Sequence, residues 1–449
     1  MRSNLMRFAG IVALPLVFLA FLFINSCEGP RGPAGADGKD GTNGTNGTDA
    51  NETCKTCHNP NDVDRIKIEF QFSKHEYGEA AFEEAGNTSC AVCHTQQGFL
   101  YVVQNNVPST FTLNAGTGKY SNNYATISSQ ALGEIGCGTC HASTHTTYGA
   151  ADTVLTTNAA VAMTMWKGNK TINLAQDNGR SNLCIKCHQP RPMTKSTTLS
   201  NGDIVNYDSL ALDPNRMFYD STTGASNTHT YPSYRMHVHY GVVGAVFAGM
   251  GGVEFTGSKT VQSSTHTSVA SCQDCHMATV SGRGGGHTFM VQGNFNGCNT
   301  SGCHTGVSSS NSTLWTNPRN TIKGLLNTLA TKINAAGGGT PILHADSDTE
   351  TNLWAGLTTG NWDGYLNIYD PSSNPGGAWR NPNPSGSWTQ AQKDANLALP
   401  KFPSLKYVQV GAMINFQFAL REASLGIHNY KYSEALLTNT IEKMTDAGF

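Results

Sequence analysis

Ser271-Cys272-Gln273-Asp274-Cys275-His276-Met277 is the stretch from which the rest of the chain can be read. Two cysteines stand three apart, and a histidine follows the second directly. The same order recurs at Cys54/Cys57/His58, Cys90/Cys93/His94, Cys137/Cys140/His141 and Cys184/Cys187/His188. A sixth copy, Cys298/Cys303/His304, has four residues between its cysteines instead of two. Together the copies take 12 of the 13 cysteines in 449 residues, and the one left over is Cys27.

Three chemistries use paired cysteines. Disulfides are favoured in exported proteins but need no histidine after the second cysteine. Zinc ribbons combine two Cys-x-x-Cys units and need no trailing histidine in each. With 15 histidines in the whole chain, six trailing ones by chance is a negligible coincidence. A c-type haem needs all three residues. Two thioether bonds hold the vinyl groups of the macrocycle, and the next residue swings under the iron as proximal ligand. A four-residue spacer loops out and still delivers both sulfurs. The expectation is six covalently attached haem c groups, with His58, His94, His141, His188, His276 and His304 as proximal iron ligands.

Nine histidines remain, enough for a second axial ligand on every iron. Their local sequences resemble those of the multihaem cytochromes c related in haem arrangement to nitrite reductase and the octahaem cytochromes. Phe72-Ser73-Lys74-His75 resembles the Ser-x-His distal element, and Cys140-His141-Ala142-Ser143-Thr144-His145 the Cys-His-x-x-x-His element. Met236-His237-Val238-His239-Tyr240-Gly241 is similar to the His-x-Gly element before an apolar stretch. His266 ahead of Cys272, Gly285-Gly286-His287-Thr288-Phe289 and Gly426-Ile427-His428-Asn429 look like three further ligand segments. The resemblance implies His75, His145, His239, His266, His287 and His428 as distal ligands, with His239 preferred over His237. His145 lies too close in sequence to His141 to share its iron and is expected at a neighbouring haem.

The N-terminus reads as an address. Arg2 and Arg7 precede an apolar run from Phe8 to Ile24, which ends in Ile24-Asn25-Ser26-Cys27. The run suits a signal-peptide core better than a membrane span. The ending resembles a bacterial lipobox, which implies cleavage after residue 26 and acylation of Cys27. An uncleaved anchor or an ordinary signal peptide is the alternative. Glu28 is not the Asp expected of inner-membrane retention, so the expected location is the outer membrane or cell surface. Gly29, Gly32, Gly35, Gly38, Gly41, Gly44 and Gly47 then recur every third residue. Such triplets suit either a short collagen-like stalk or a polar spacer between lipid and domain.

Only 13% of residues are charged and the net charge is −2, which gives no case for a nucleic-acid partner. Region 54–310 carries all six motifs, too few residues per site for a conventional core around each. The expected fold is mainly α with much irregular structure and low strand content: short helices and loops threaded around a stack of six haems. The expected divisions are 1–26 (signal peptide), 27–53 (acylated cysteine and Gly-X-Y spacer), 54–310 (hexahaem domain) and 311–449. In the last, Ile322, Leu325, Leu326, Leu329 and Ile333 mark one helix face, and 409–445 reads as helix with a break near Gly426. His428 requires this region to fold back onto the haem domain. Segment 189–235 reads as a long surface excursion, with a hairpin near Asn201-Gly202.

Irons held by two histidines are closed to substrate, so the leading expectation is an electron carrier rather than an enzyme. It would serve redox partner proteins or an extracellular acceptor. The alternative is a reductase of nitrite, hydroxylamine or a sulfur oxyanion with one open iron. Nitrite reductases of the resembled group carry Lys in place of the motif histidine, and none of the six motifs here does. A third reading is a subunit of a homo-oligomer or haem filament.

Overall fold

The most deeply enclosed element is the helix Tyr407–Arg421, every residue of which is buried. Its sequence, Tyr407-Val-Gln-Val-Gly-Ala-Met-Ile-Asn-Phe-Gln-Phe-Ala-Leu-Arg421, is apolar on all sides, the pattern of a core helix rather than an amphipathic one. Met413, Phe416, Phe418 and Leu420 are ordinary core residues here. The helix packs against Thr313–Ala335 and Tyr430–Asp446. Ile322, Leu326, Leu329 and Ile333 are fully buried on the first of these, as their spacing requires. Each such side chain contributes about 1.5–3 kcal/mol by burial. The break expected near Gly426 is present: residues 422–429 leave helical geometry between the last two helices.

The computed structural model describes residues 63–77, 91–106, 111–114, 119–122, 134–142, 154–163, 170–190, 205–220, 225–226, 238–336, 342–345, 362–366 and 404–449. The chain divides into two units, Met1–Thr53 and Cys54–Phe449, and all described residues lie in the second. The apolar run, Cys27 and the Gly-X-Y triplets lie outside the described residues, as do Cys54, Cys57, His58, Cys90 and His145. No described helix is long and apolar enough to cross a membrane.

The fold is mainly helical and irregular, with little strand. Strands are two to five residues long and pair antiparallel. The largest sheet has three strands, with Met217–Asp220 between Ala225–Ser226 and Leu405–Lys406. Part of the supposed surface excursion is therefore structural. Val205, Tyr207, Leu210 and Phe218 are buried in the same core as the C-terminal helices. Its scattered polar residues hide a short helix, Tyr207–Leu212, whose inward face is too brief to register as a period. The Asn201-Gly202 hairpin lies outside the described residues.

Polar side chains join the C-terminal helices to the segment ahead of His266. Asn415 Oδ1 accepts the Val253 N–H at 2.7 Å, and its Nδ2 donates to the Val253 carbonyl at 2.8 Å and to Thr440 Oγ1 at 2.8 Å. Tyr432 Oη accepts the Gly252 N–H at 2.9 Å. Asn439 Nδ2 donates to the Phe255 and Lys259 carbonyls at 3.0 and 2.9 Å. These pairings satisfy backbone groups that would otherwise be buried unpaired. They fix 252–259 against 407–446 and so set where His266 and His428 lie.

Candidate functional site

Short helices carry four of the described cysteine motifs, and the sixth lies in turns. In Cys272–His276, Ser271 Oγ accepts the Asp274 N–H at 3.1 Å while Asp274 Oδ2 accepts the Ser271 N–H at 2.8 Å. This reciprocal cap starts the helix at the first cysteine of the motif. The helix Arg180–Cys187 ends at the fourth motif. Its Ser181 hydroxyl donates to Asp177 Oδ2 at 2.6 Å and accepts the Cys272 N–H at 3.0 Å, tying the fourth motif to the fifth. None of the nine described motif cysteines, from Cys93 to Cys303, is joined by a disulfide to another described cysteine.

The five described motif histidines are paired, each with a histidine well separated in sequence. Ring centroids are 6.1 Å apart for His188 and His75, and 6.4 Å for His94 and His239. They are 6.4 Å apart for His141 and His287, 5.9 Å for His304 and His266, and 6.1 Å for His276 and His428. Every described motif histidine thus faces a candidate distal one, and none is used twice. His239, preferred over His237, stands in left-handed backbone with φ 75°. His237 lies outside the described residues. The sixth motif histidine, His58, and the sixth candidate, His145, both lie there too.

Three rings commit Nδ1 to a protein partner. His276 Nδ1 is 2.8 Å from the Phe289 carbonyl, His266 Nδ1 is 3.1 Å from the Ile427 carbonyl, and His428 Nδ1 is 2.7 Å from Glu422 Oε2. With Nδ1 as donor, Nε2 is the nitrogen left to ligate. Burial disfavours the charged form of four of the paired rings, His188, His75, His276 and His287. It drives His188 down to about 3, helped by His75, His276, His428 and His94 around it. Burial lowers His75, with His276 adding to it. Burial and then His428 lower His276, against the Phe289 hydrogen bond. Burial lowers His287 although Glu69 opposes it.

Glu422, Glu69 and Phe289 are functional neighbours that the motifs did not reveal. Burial raises the Glu422 carboxyl, but hydrogen bonds from His428, Ser424 and Gly426 hold it below the ordinary carboxylate value. Glu69 accepts the His287 N–H at 3.0 Å and pairs with Arg65. Phe289 packs edge-on against His75 at 4.9 Å and His287 at 5.7 Å while its carbonyl reaches His276. It therefore touches three of the pairs. No sequence signal marks Glu422 or Glu69, since each acts on a histidine through folded proximity. Phe289 stood inside a quoted motif, but nothing in the sequence gave it this role.

Among the described residues no group of three or more His, Cys, Asp or Glu is placed to hold a metal ion. Two-histidine pairs beside cysteine pairs would suit an iron whose other ligands come from a macrocycle. No protein-family model matches the chain, and no curated protein or solved structure matches it either.

Proposed function

We propose that the chain is an exported, lipid-anchored hexahaem c-type cytochrome that carries electrons along a stack of haems to a redox partner protein or an extracellular acceptor. The observation that carries this reading is the spacing of the five histidine pairs, 5.9 to 6.4 Å between ring centroids. Two imidazoles on opposite faces of one metal, each bonded at about 2 Å, hold their centroids about 6 Å apart. Side chains that merely packed together would have no reason to repeat this separation five times. Cys93, Cys137, Cys140, Cys184, Cys187, Cys272, Cys275, Cys298 and Cys303 would hold the macrocycles, with Cys54, Cys57 and Cys90 completing the set.

A bound haem supplies a one-electron Fe(III)/Fe(II) couple. The chain's own residues do the rest. Each histidine pair would hold an iron from two sides and leave no room for substrate, which favours transfer over catalysis. The short motif helices would hold these ligands in place through a change of iron charge. Cys27 and the Gly-X-Y segment would tether this unit to a membrane and hold it clear of the surface.

The test is haem content and carbon monoxide binding on the purified mature protein. Six haems per chain, all low-spin and unresponsive to carbon monoxide, are expected. A high-spin fraction of about one in six that binds carbon monoxide would turn the reading toward a reductase. Absence of covalent haem would end it.

A further inference from the structure

Ser73 is 0% exposed, yet its hydroxyl makes no hydrogen bond. A buried hydroxyl without a partner is costly, so such an atom marks a place where a polar group belongs. The backbone of Ser73 is fully paired: its N–H donates to the Phe70 carbonyl at 2.8 Å, and its carbonyl accepts the Glu76 N–H at 3.1 Å. A serine just before a helix ordinarily accepts an N–H of the first turn, but this hydroxyl leaves the first turn of Lys74–Tyr77 alone. Asp177 Oδ1 and Tyr207 Oη are also buried without a partner. Asp177 already engages the Ser181 N–H and hydroxyl with its other oxygen, at 2.8 and 2.6 Å, and Tyr207 belongs to the C-terminal core. Of these three residues, Ser73 alone stands two positions from a candidate iron ligand, His75. Its surroundings belong to two histidine pairs. The segment after it brings His75 to 6.1 Å from His188, and the helix before it, Val63–Gln71, holds the His287 N–H through Glu69 at 3.0 Å. Phe289 packs between them, 4.9 Å from the His75 ring and 5.7 Å from that of His287.

We infer that the Ser73 hydroxyl binds a haem propionate, the carboxylate of the macrocycle at His75/His188 or of its neighbour at His141/His287. This rests on the haem reading above. The rim of a haem is apolar except for its two propionates, so these are the groups that a buried polar atom beside an iron ligand can meet. A carboxylate only accepts, and a serine hydroxyl has one hydrogen to give. A propionate enclosed beside these pairs would be as costly without a donor as Ser73 is without an acceptor. An O–H donor to a carboxylate also forms one of the stronger hydrogen bonds available to a neutral side chain.

The experiment is isotope-difference infrared spectroscopy of the full holoprotein, with the haem propionate carboxyls labelled through carboxyl-labelled aminolevulinate, and with Ser73→Ala and Ser73→Cys beside the unaltered chain. Haem content is measured first; absence of covalent haem would strike the haem reading, whereas a loaded protein tests this assignment alone. Ser73→Ala should displace one isotope-sensitive carboxylate band toward the position of an unbonded propionate and abolish that band's shift in heavy water. Ser73→Cys carries a weaker donor of similar size and should displace the same band less. It decides the matter if the alanine variant does not accumulate. A hydroxyl that merely packs would leave every isotope-sensitive band in place in both variants, and that result overturns the assignment. Redox titration of the displaced band identifies the haem that owns the propionate. His75→Met raises the potential of the haem at His75/His188. The band should move with it if that haem is the owner and stay if the owner is the haem at His141/His287; either result upholds the assignment.

Discussion

The rings of His276 and His428 lie nearly parallel, 14° apart, whereas those of His266 and His304 stand at 86°. The other angles are 35° for His141 and His287, 67° for His75 and His188, and 71° for His94 and His239. Parallel imidazole planes split the iron d orbitals in the same sense and give a rhombic ferric signal. Perpendicular planes cancel that splitting and give a strongly anisotropic one. The oxidised holoprotein should therefore display both classes, with the three steep pairs in the anisotropic one. A single homogeneous low-spin signal in the EPR spectrum would contradict this arrangement.

On the proposed haem reading, replacing His428 by Met should leave six haems attached, because Cys272, Cys275 and His276 remain. A thioether in place of a carboxylate-backed imidazole raises the potential of one centre. Redox titration and haem quantification on one sample check both halves of the statement. Unchanged potentials would mean that His428 is not an axial ligand.

The five described candidate histidines were legible in sequence because each sits in a short motif, and each motif is a local fact. His239 and His287 carry backbone that their neighbours announce: Gly241 and the Gly285-Gly286 pair both hold positive φ. Which histidine faces which was not legible. His75 meets His188 across more than a hundred residues, and nothing local encodes that. Glu422 was hidden for the same reason. The break between the last two helices could be placed from Gly426. The burial of 205–220 could not, because its helix is too short to declare a period.

Gly426 and Gly324 should respond oppositely to alanine. Gly426 has φ 90°, and an added Cβ would lie 2.7 Å from Ile322 Cγ1. Alanine there should cost about 1–3 kcal/mol and displace Ile427 and His428 with it. Gly324 sits within the helix Thr313–Ala335, and an added Cβ would meet nothing within 4 Å. Alanine there should stabilise by about 0.5–1 kcal/mol. Denaturant midpoints of the two holoprotein variants measure both. Equal midpoints would refute the left-handed turn at 422–429.

The fourth motif stands at the centre of the described ones. It adjoins two neighbours: Ser181, on its helix, accepts the Cys272 N–H of the fifth motif at 3.0 Å, and Cys93 Sγ of the second lies 3.9 Å from the Lys186 carbonyl. Among the described residues the sixth motif adjoins the fifth, where Gly297 packs directly on the Asp274 carbonyl. Among the described motifs, a haem at Cys184/Cys187 would thus be a junction, and one at Cys298/Cys303 a terminus. Replacing a distal histidine by Met raises a centre's potential without removing its haem. His75→Met would place that trap at the junction, His266→Met at the terminus. Flash photoreduction should then reveal slowed equilibration among the remaining haems in the first variant and near-native rates in the second. Equal rates in both would mean that electrons have a route around the fourth haem.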